Sequence, residues 1–90
     1  MYLEIVSPEA ILFGSEVDSV FVPGVNGEFQ MLNNHAAIVS SLTKGTIKVY
    51  INSSLTDLHE SLKVNGKTIT LEINSGTLEM KNNKAIILVD

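Results

Sequence analysis

Glu28 and His35 are the two residues of this chain whose types and spacing most suggest chemistry. A carboxylate and an imidazole can exchange protons when they lie within hydrogen-bond reach and a third group orients them. The polar pair Asn33-Asn34 lies between them, in "GEFQMLNNHA". Nothing in the spacing brings the two side chains together, so an exposed loop carboxylate and a polar corner histidine are the favoured interpretation. A small hydrolase or isomerase that uses both residues stays open as an alternative.

Other catalytic and metal-binding chemistry has little support. The chain has no cysteine, which excludes disulfides, thiolate catalysis and Cys-ligated zinc, and its two histidines, His35 and His59, belong to no ligand-spaced cluster. The G-x-x-G of Gly24–Gly27 has no basic neighbour, so it predicts a hairpin turn and not a clamp for nucleic acid. Phosphate-loop and hydrolase-elbow spacings are missing. We therefore expect no catalytic residue, no metal ion and no cofactor.

Charge and hydropathy argue against nucleic acid and against membrane insertion. The net charge is −4, and all six basic residues are lysines scattered along the chain, without an arginine to contact phosphates or guanine edges. The longest apolar run, Ala85–Val89, is far shorter than the roughly 20 residues of a membrane helix. The opening "MYLEIVSPEA" lacks the basic and apolar regions of a secretion signal.

Period-two alternation dominates the chain and predicts half-buried antiparallel strands, because successive side chains of a strand leave opposite faces. The alternating segments are "GTIKVYIN", "KTITLEIN" and "TLEMKN". Their apolar positions are Ile47, Val49, Ile51, Ile69, Leu71, Ile73, Leu78 and Met80. Turn pairs such as Asn26-Gly27, Asn65-Gly66 and Asn82-Asn83 punctuate these strands. The pattern predicts an all-β fold, a flattened β-sandwich or barrel of about ten short, mainly antiparallel strands.

Three segments depart from simple alternation. Ala36–Val39 and Ala85–Val89 are apolar at both parities, so each strand is either covered on both faces or turned towards a partner. "SSLTDLHESL" spaces leucines at the helical interval, and Ser54 with Asp57 resembles a capping pair. The alternative makes "ESLKV" a strand that enters the Asn65-Gly66 turn. We thus expect residues 1–90 to form a single domain with an extended hairpin or a short helical insertion around 51–66.

Four motifs in order resemble the epsilon subunit of bacterial-type rotary ATP synthases, specifically its N-terminal β-sandwich domain. The family shows a V-S/T-P-E opening, then V-P-G-x-x-G-E-F, a Pro-x-His-Ala-Pro corner and a closing S-G-G-F-L-E-V segment followed by V-L-A-D. The matching stretches here are "LEIVSPEAILF", "EVDSVFVPGVNGEF", "NNHAAIVSSLTKG" and "NSGTLEMKNNKAIILVD". They run from Leu3 to Asp90 and are interrupted only between about residues 51 and 66.

The resemblance implies a non-catalytic subunit of the central stalk, which joins the gamma subunit to the c-ring and couples ion translocation to ATP synthesis. It also implies a peripheral position at the cytoplasmic face of the bacterial inner membrane. By correspondence with the family, the stretch from Glu28 to His35 is the candidate c-ring contact, and Ser7 and Ser40 are the candidate gamma contacts. The ring-contact set is Glu28, Phe29, Gln30, Met31, Leu32, Asn33, Asn34 and His35.

The sequence departs from the family pattern at the corner. Gln30 replaces a usual glycine, Asn33-Asn34 replaces a common Pro-Gly, and Ala37 replaces a proline. Loss of both prolines predicts a less rigid corner, because proline narrows φ and limits the unfolded ensemble. The sequence ends at Asp90, before the two-helix hairpin with which the family regulates hydrolysis, so helix-based inhibition and nucleotide binding are not expected of these residues.

The stalk subunit is thus the preferred function. A free-standing β-sandwich that binds an unrelated protein partner is the alternative from a different class, and a small enzyme that uses Glu28 and His35 comes third.

Overall fold

Ten strands make up the regular structure of this chain in a computed structural model that describes residues 1–52 and 58–90. They are β1 (Tyr2–Val6), β2 (Ile11–Glu16), β3 (Ser19–Gly24), β4 (Gly27–Leu32), β5 (Ile38–Leu42), β6 (Gly45–Tyr50), β7 (Lys63–Asn65), β8 (Thr68–Ile73), β9 (Gly76–Lys81) and β10 (Lys84–Val89). The described residues contain no helix. The expectation of an all-β sandwich of about ten short strands is confirmed.

The strands form one sheet in the order β2-β1-β10-β9-β5-β3-β6-β8-β7, with β4 attached to β3 outside this path. Strand β3 meets β5 through a single pair, Gly24 with Leu42, whereas it meets β6 through three. The sheet curls at this weak junction, and the inner faces of its two halves share one core. We call β2-β1-β10-β9-β5 the first layer and β4-β3-β6-β8-β7 the second layer. Every pairing is antiparallel except that of β1 with β10.

Alternation explains which side chains enter the core. The apolar positions predicted from the three alternating segments are all buried. In the second layer Ile47, Val49 and Ile69 are at most 1% exposed, and the register pairs Ile47 with Leu71 and Val49 with Ile69 across β6 and β8. Pairs of this kind stabilise a sheet through side-chain contacts on one face. The prediction of half-buried strands is therefore confirmed for these segments.

Two backbone positions show why particular residues were needed. Asn82 and Asn83 form a two-residue loop between the paired Lys81 and Lys84, and both have positive φ, 54° and 59°. This is the turn that matches the twist of a hairpin, and asparagine tolerates its left-handed conformation. At Gly76 a Cβ atom would lie 2.5 Å from the carbonyl oxygen of Leu88, so β10 approaches β9 too closely for a side chain.

The segment around 51–66 follows the strand alternative where it is described. Leu58–Leu62 contains a turn, closed by a 3.0 Å hydrogen bond from the Leu62 N–H to the His59 carbonyl, and no helix. Lys63–Asn65 then forms β7 and pairs with β8, with Gly66 at φ 64° in the connecting turn. The proposed capping pair, Ser54 with Asp57, lies outside the described residues.

Candidate functional surfaces

Glu28 and His35 lie at opposite ends of β4 and its following turn. Glu28 is next to the β3–β4 hairpin, opposite Pro23, whereas Leu32 at the other end of β4 pairs with Ser19. Four residues of strand separate Glu28 from Leu32 by about 13 Å, and the His35 N–H bonds to the Leu32 carbonyl at 3.2 Å. The two side chains therefore do not form a proton-transfer pair, and the enzymatic alternative loses its only candidate residues.

Each of the two side chains has a different local partner. A carboxylate oxygen of Glu28 lies 3.3 Å from the Lys48 ammonium, on strand β6. Both side chains are more than 40% exposed, so this is a surface ion pair whose energy water and salt reduce. The Nδ1 of His35 lies 2.8 Å from the carbonyl oxygen of Ala36, its own neighbour in the chain. These contacts organise a surface, and neither resembles the support of a catalytic base.

Alternation along β4 divides the predicted ring-contact set into two groups. Met31 has no exposed surface and Phe29 is half-buried against the core, because both face inwards. Glu28, Gln30 and Leu32 face outwards and are exposed. The outward three can meet a partner directly, whereas the Met31 side chain cannot. Met31 and Phe29 are therefore core-facing members of the predicted set and do not belong to the outward surface of β4.

Asn33, Asn34 and His35 form the corner that follows β4. The Asn34 backbone has φ 60° at the third position of the turn that Leu32 and His35 close, a position that favours glycine or asparagine. Asn34, at the position where the resemblance places a glycine, therefore adopts a backbone conformation that suits glycine or asparagine. The Asn33 side chain accepts a hydrogen bond from the amine of Met1, and the Asn34 N–H donates to the Asn83 side chain at 2.7 Å.

These contacts bear on the prediction that the corner is less rigid without its prolines. Hydrogen bonds from two distant parts of the chain hold Asn33 and Asn34, and neither was visible in the local sequence. A side-chain hydrogen bond restricts a loop in the folded state, whereas proline acts mainly by restricting the unfolded one. Reduced rigidity of the corner stays a prediction.

Ser7 and Ser40, the predicted gamma contacts, have different surroundings. Ser7 lies in the turn between β1 and β2, where its hydroxyl accepts a hydrogen bond from the Ala10 N–H at 3.2 Å. It also lines a cavity of about 490 Å³ between the outer strands β2 and β7 of the sheet. Ser40 is half-buried in β5 and lines a smaller pocket that also contains Glu28. The structure thus brings Ser40 close to Glu28 and leaves Ser7 at another part of the surface.

The larger cavity contains His59 together with the carboxylates of Glu9, Glu72 and Asp90. Within residues 1–52 and 58–90, no three histidine or acidic side chains converge as metal ligands would. The Glu72 carboxylate accepts a 2.5 Å hydrogen bond from the Thr46 hydroxyl, and the Ser75 hydroxyl donates to Asp90. The cavity lies between the two edge strands of the sheet, β2 and β7, and its lining combines polar with apolar groups.

The outward face of the first layer carries the most unusual surface of the described chain. Val39 is 76% exposed, Ile11 65% and Leu88 52%, although each lies in a strand. Two half-buried residues, Val6 and Ile86, continue the surface between them. We call these five residues the apolar outer face. Contiguous exposed apolar surface of this kind marks an interaction site more often than it occurs by chance.

Strand register brings four of these residues together, whereas Glu79 separates the fifth, Val39, from Ile86. Ile11, Val6 and Leu88 lie side by side across β2, β1 and β10, and Thr77 of β9 continues the row. In the next row Ile86 lies between Glu4 and Glu79, and Val39 is opposite Glu79 on β5. The face therefore combines aliphatic side chains with two carboxylates. Neighbouring side chains on one face of a sheet are near enough to act as a unit.

Sequence reasoning found part of this face. Ala36–Val39 and Ala85–Val89 have apolar residues at both odd and even positions, which left two explanations: coverage of both faces or exposure towards a partner. The structure supports exposure at Val39 and Leu88. Val6 and Ile11 gave no such signal, because both occur at the ends of ordinary strands. Only their register against Leu88 makes them part of the same surface.

The fold agrees with the comparison with known proteins. All 90 residues match the family described as the ATP synthase delta/epsilon chain β-sandwich domain. The chain therefore belongs to the delta/epsilon chain family of ATP synthases. The resemblance read from the four motifs is confirmed.

Individual relatives are named as epsilon chains of ATP synthases. The ATP synthase epsilon chain of Chlorobaculum tepidum is 36% identical over 98% of this chain and 86% of its own length. The epsilon chain of Desulforamulus reducens is 33% identical over 98% of this chain, which spans only 57% of that relative. A chain in a structure of the Tetrahymena thermophila mitochondrial ATP synthase central stalk and c-ring superposes with a TM-score of 0.77 at 12% identity. That match covers 98% of this chain and 61% of the other, and it supports the fold.

A separate finding concerns membranes: none of the described segments forms a helix with the length and apolar character needed to span a bilayer.

Proposed function

We propose that this chain is a non-catalytic subunit of the central stalk of a rotary ATP synthase, where it joins the gamma subunit to the c-ring. The observation that carries the proposal is the apolar outer face in a chain of the epsilon family. Its task would be mechanical: by enlarging the joint between gamma and the ring, it helps the two rotate together and so couples ion translocation to ATP synthesis.

The apolar outer face is the proposed gamma-binding surface. Burial of Leu88, Val39 and Ile11 against a partner would remove exposed aliphatic area from water, which is the main source of affinity in most protein interfaces. Glu4 and Glu79, on either side of Ile86, favour a partner surface that offers a basic side chain among apolar ones. Ser7 directly follows Val6, so this predicted gamma contact borders the apolar outer face. Ser40 leaves the opposite side of β5 from Val39 and lines a pocket with Glu28, so it lies outside this face.

The outward side of β4 and the corner form the proposed c-ring contact. Glu28, Gln30 and Leu32 are exposed on β4, and Asn33, Asn34 and His35 continue the surface at its end. These groups are mostly polar and suit the polar loops of a ring. Rim contacts of this kind set register and specificity more than affinity. A peripheral position at the cytoplasmic face of a bacterial inner membrane follows from this role.

The test measures binding of the 90-residue chain to purified gamma subunit and to ATP synthase depleted of its own epsilon subunit. Val39→Lys and Leu88→Lys should each weaken gamma binding at least about tenfold, an effect of about 1.4 kcal/mol. Thr68→Lys, on the outward side of β8, is the matched control and should bind gamma like the unaltered chain. Gln30→Lys should leave gamma binding intact and weaken binding only where the ring is present.

The alternative, a free-standing binding module, makes a different prediction in the same experiment. The unaltered chain would then bind neither gamma nor the depleted enzyme, while Val39→Lys would still disturb capture of some other protein. Equal gamma binding by Leu88→Lys and by the unaltered chain would contradict the assignment of the gamma surface.

A further inference from the structure

The side chain of Asn83 links two segments that are far apart in sequence. Its Oδ1 accepts a hydrogen bond from the Asn34 N–H at 2.7 Å, across 49 positions of the chain. Its backbone carbonyl accepts another from the Tyr2 N–H at 3.1 Å. Asn83 therefore connects the β9–β10 turn, the start of β1 and the corner after β4.

The bond to Asn34 reaches the corner of the proposed ring contact. The corner lies between β4 and β5, which do not pair with each other in the sheet. Asn34 has a left-handed backbone conformation, which an L residue adopts only at some cost in free energy unless its surroundings favour it. A hydrogen bond to its N–H favours this conformation directly.

We propose that Asn83 is a positioning residue: it holds the Asn33–His35 corner in the conformation that meets the c-ring, although Asn83 itself lies outside the contact set. This inference rests on the proposed function of the corner. Affinity for the ring then depends on Asn83, which lies outside residues 28–35.

The chain offers a matched set of substitutions. Asn83→Gly removes the acceptor and keeps the turn, because glycine adopts the positive φ of 59° without strain. Asn83→Asp keeps an acceptor oxygen at the same position. Asn82→Gly makes the same chemical change one residue earlier in the same turn, where φ is 54°, and is the control for altered turn flexibility.

Two measurements on the 90-residue chain test the proposal. Hydrogen exchange of the Asn34 amide should be about two- to tenfold faster in Asn83→Gly, the range expected from loss of one hydrogen bond. It should be unchanged in Asn83→Asp and Asn82→Gly. Binding to epsilon-depleted ATP synthase should weaken by a similar factor in Asn83→Gly alone, whereas binding to isolated gamma subunit should be the same for all variants.

The outcomes separate the two proposals. Unchanged Asn34 exchange in Asn83→Gly would overturn the positioning role, and so would faster exchange with undiminished binding to the depleted enzyme. Equal effects of Asn83→Gly and Asn82→Gly would overturn it as well, because turn flexibility would then be the cause. If the unaltered chain fails to bind the depleted enzyme, the proposed function itself fails, irrespective of the exchange data.

Discussion

The apolar outer face and the β4 surface, the two proposed interaction regions, are built in opposite ways. The first consists of aliphatic side chains on four strands, β1, β2, β5 and β10, whose backbone hydrogen bonds fix their relative positions. The second consists of polar side chains on one strand and a corner, held by an ion pair and by hydrogen bonds to asparagines. Because burial of apolar area is non-directional and polar contacts are directional, the first region suits affinity and the second suits register.

The two regions share one property, since both lie on strands that also supply side chains to the core. On strand β4 the buried Met31 lies between the exposed Gln30 and Leu32. Three consecutive residues therefore serve both the core and the surface. On β10 the exposed Leu88 likewise lies between the buried Ile87 and Val89. In both regions a substitution of an inward residue tests the fold and a substitution of its outward neighbour tests the contact.

The largest effect is expected for Met31→Ala. Met31 is fully buried, so truncation should lower the free energy of unfolding by about 2–5 kcal/mol through lost transfer energy and a cavity. Gln30→Ala, its exposed neighbour, should change it by less than about 0.5 kcal/mol. Urea denaturation measures both. Equal losses at the two positions would mean that β4 does not alternate between core and surface.

A second prediction concerns the first layer, where Gly76→Ala should be destabilising by about 1–3 kcal/mol, the range for overpacking. The added Cβ would lie 2.5 Å from the Leu88 carbonyl oxygen and would displace β10. Because Leu88 belongs to the apolar outer face, gamma binding should weaken as well.

The control for stability at this position is Thr77→Ala, which lies next to it on the outward side of β9 and should have little effect on the free energy of unfolding. Because Thr77 lies beside Leu88 in the row of the apolar outer face, it is a control for stability alone. Denaturation and gamma binding are measured on the same samples. A stable Gly76→Ala variant with normal gamma binding would show that β9 and β10 can separate without harm to the face.

The smallest effect is expected for the ion pair on the polar side. A double-mutant cycle of Glu28→Gln and Lys48→Gln should give a coupling free energy of at most about 1 kcal/mol, since both side chains are well exposed. The coupling should fall further in 1 M salt, where the Debye length is about 3 Å. A coupling free energy above about 2 kcal/mol that persists in 1 M salt would mean that this ion pair holds β4 in position. The polar surface would then be as firmly held as the apolar outer face.

Much of the fold could be predicted from residues alone. The alternation in "GTIKVYIN" and "KTITLEIN" identified β6 and β8 and the faces they bury, because a strand must separate apolar from polar side chains when one face is wet. Asn82-Asn83 marked a hairpin for an equally local reason. The helical leucine spacing before Leu62 was less informative, since a short apolar periodicity does not distinguish a turn from a helix.

The candidate surfaces were predictable only in part. The stretch from Glu28 to His35 was singled out from its residue types and from the family resemblance. Which of its members face outwards needed the register of β4 against β3. The partners of Glu28 and Asn34, which are Lys48 and Asn83, lie on other strands and turns and leave no mark in the local sequence.

Local chemistry was therefore enough to specify strands, turns and an all-β fold, whereas the family was identified by the resemblance of four motifs. Local chemistry could not predict contacts between residues that are far apart in the sequence. Only the tertiary structure showed that β1 pairs in parallel with β10, and that this pairing sets Val6 beside Leu88 on an exposed face. The tertiary structure also places Glu28 and His35 at opposite ends of β4 and its following turn, in agreement with the favoured interpretation of an exposed carboxylate and a corner histidine. The physical reason is that alternation and turn propensity act between neighbours in the chain, whereas a surface is assembled from strands that meet through long-range hydrogen bonds.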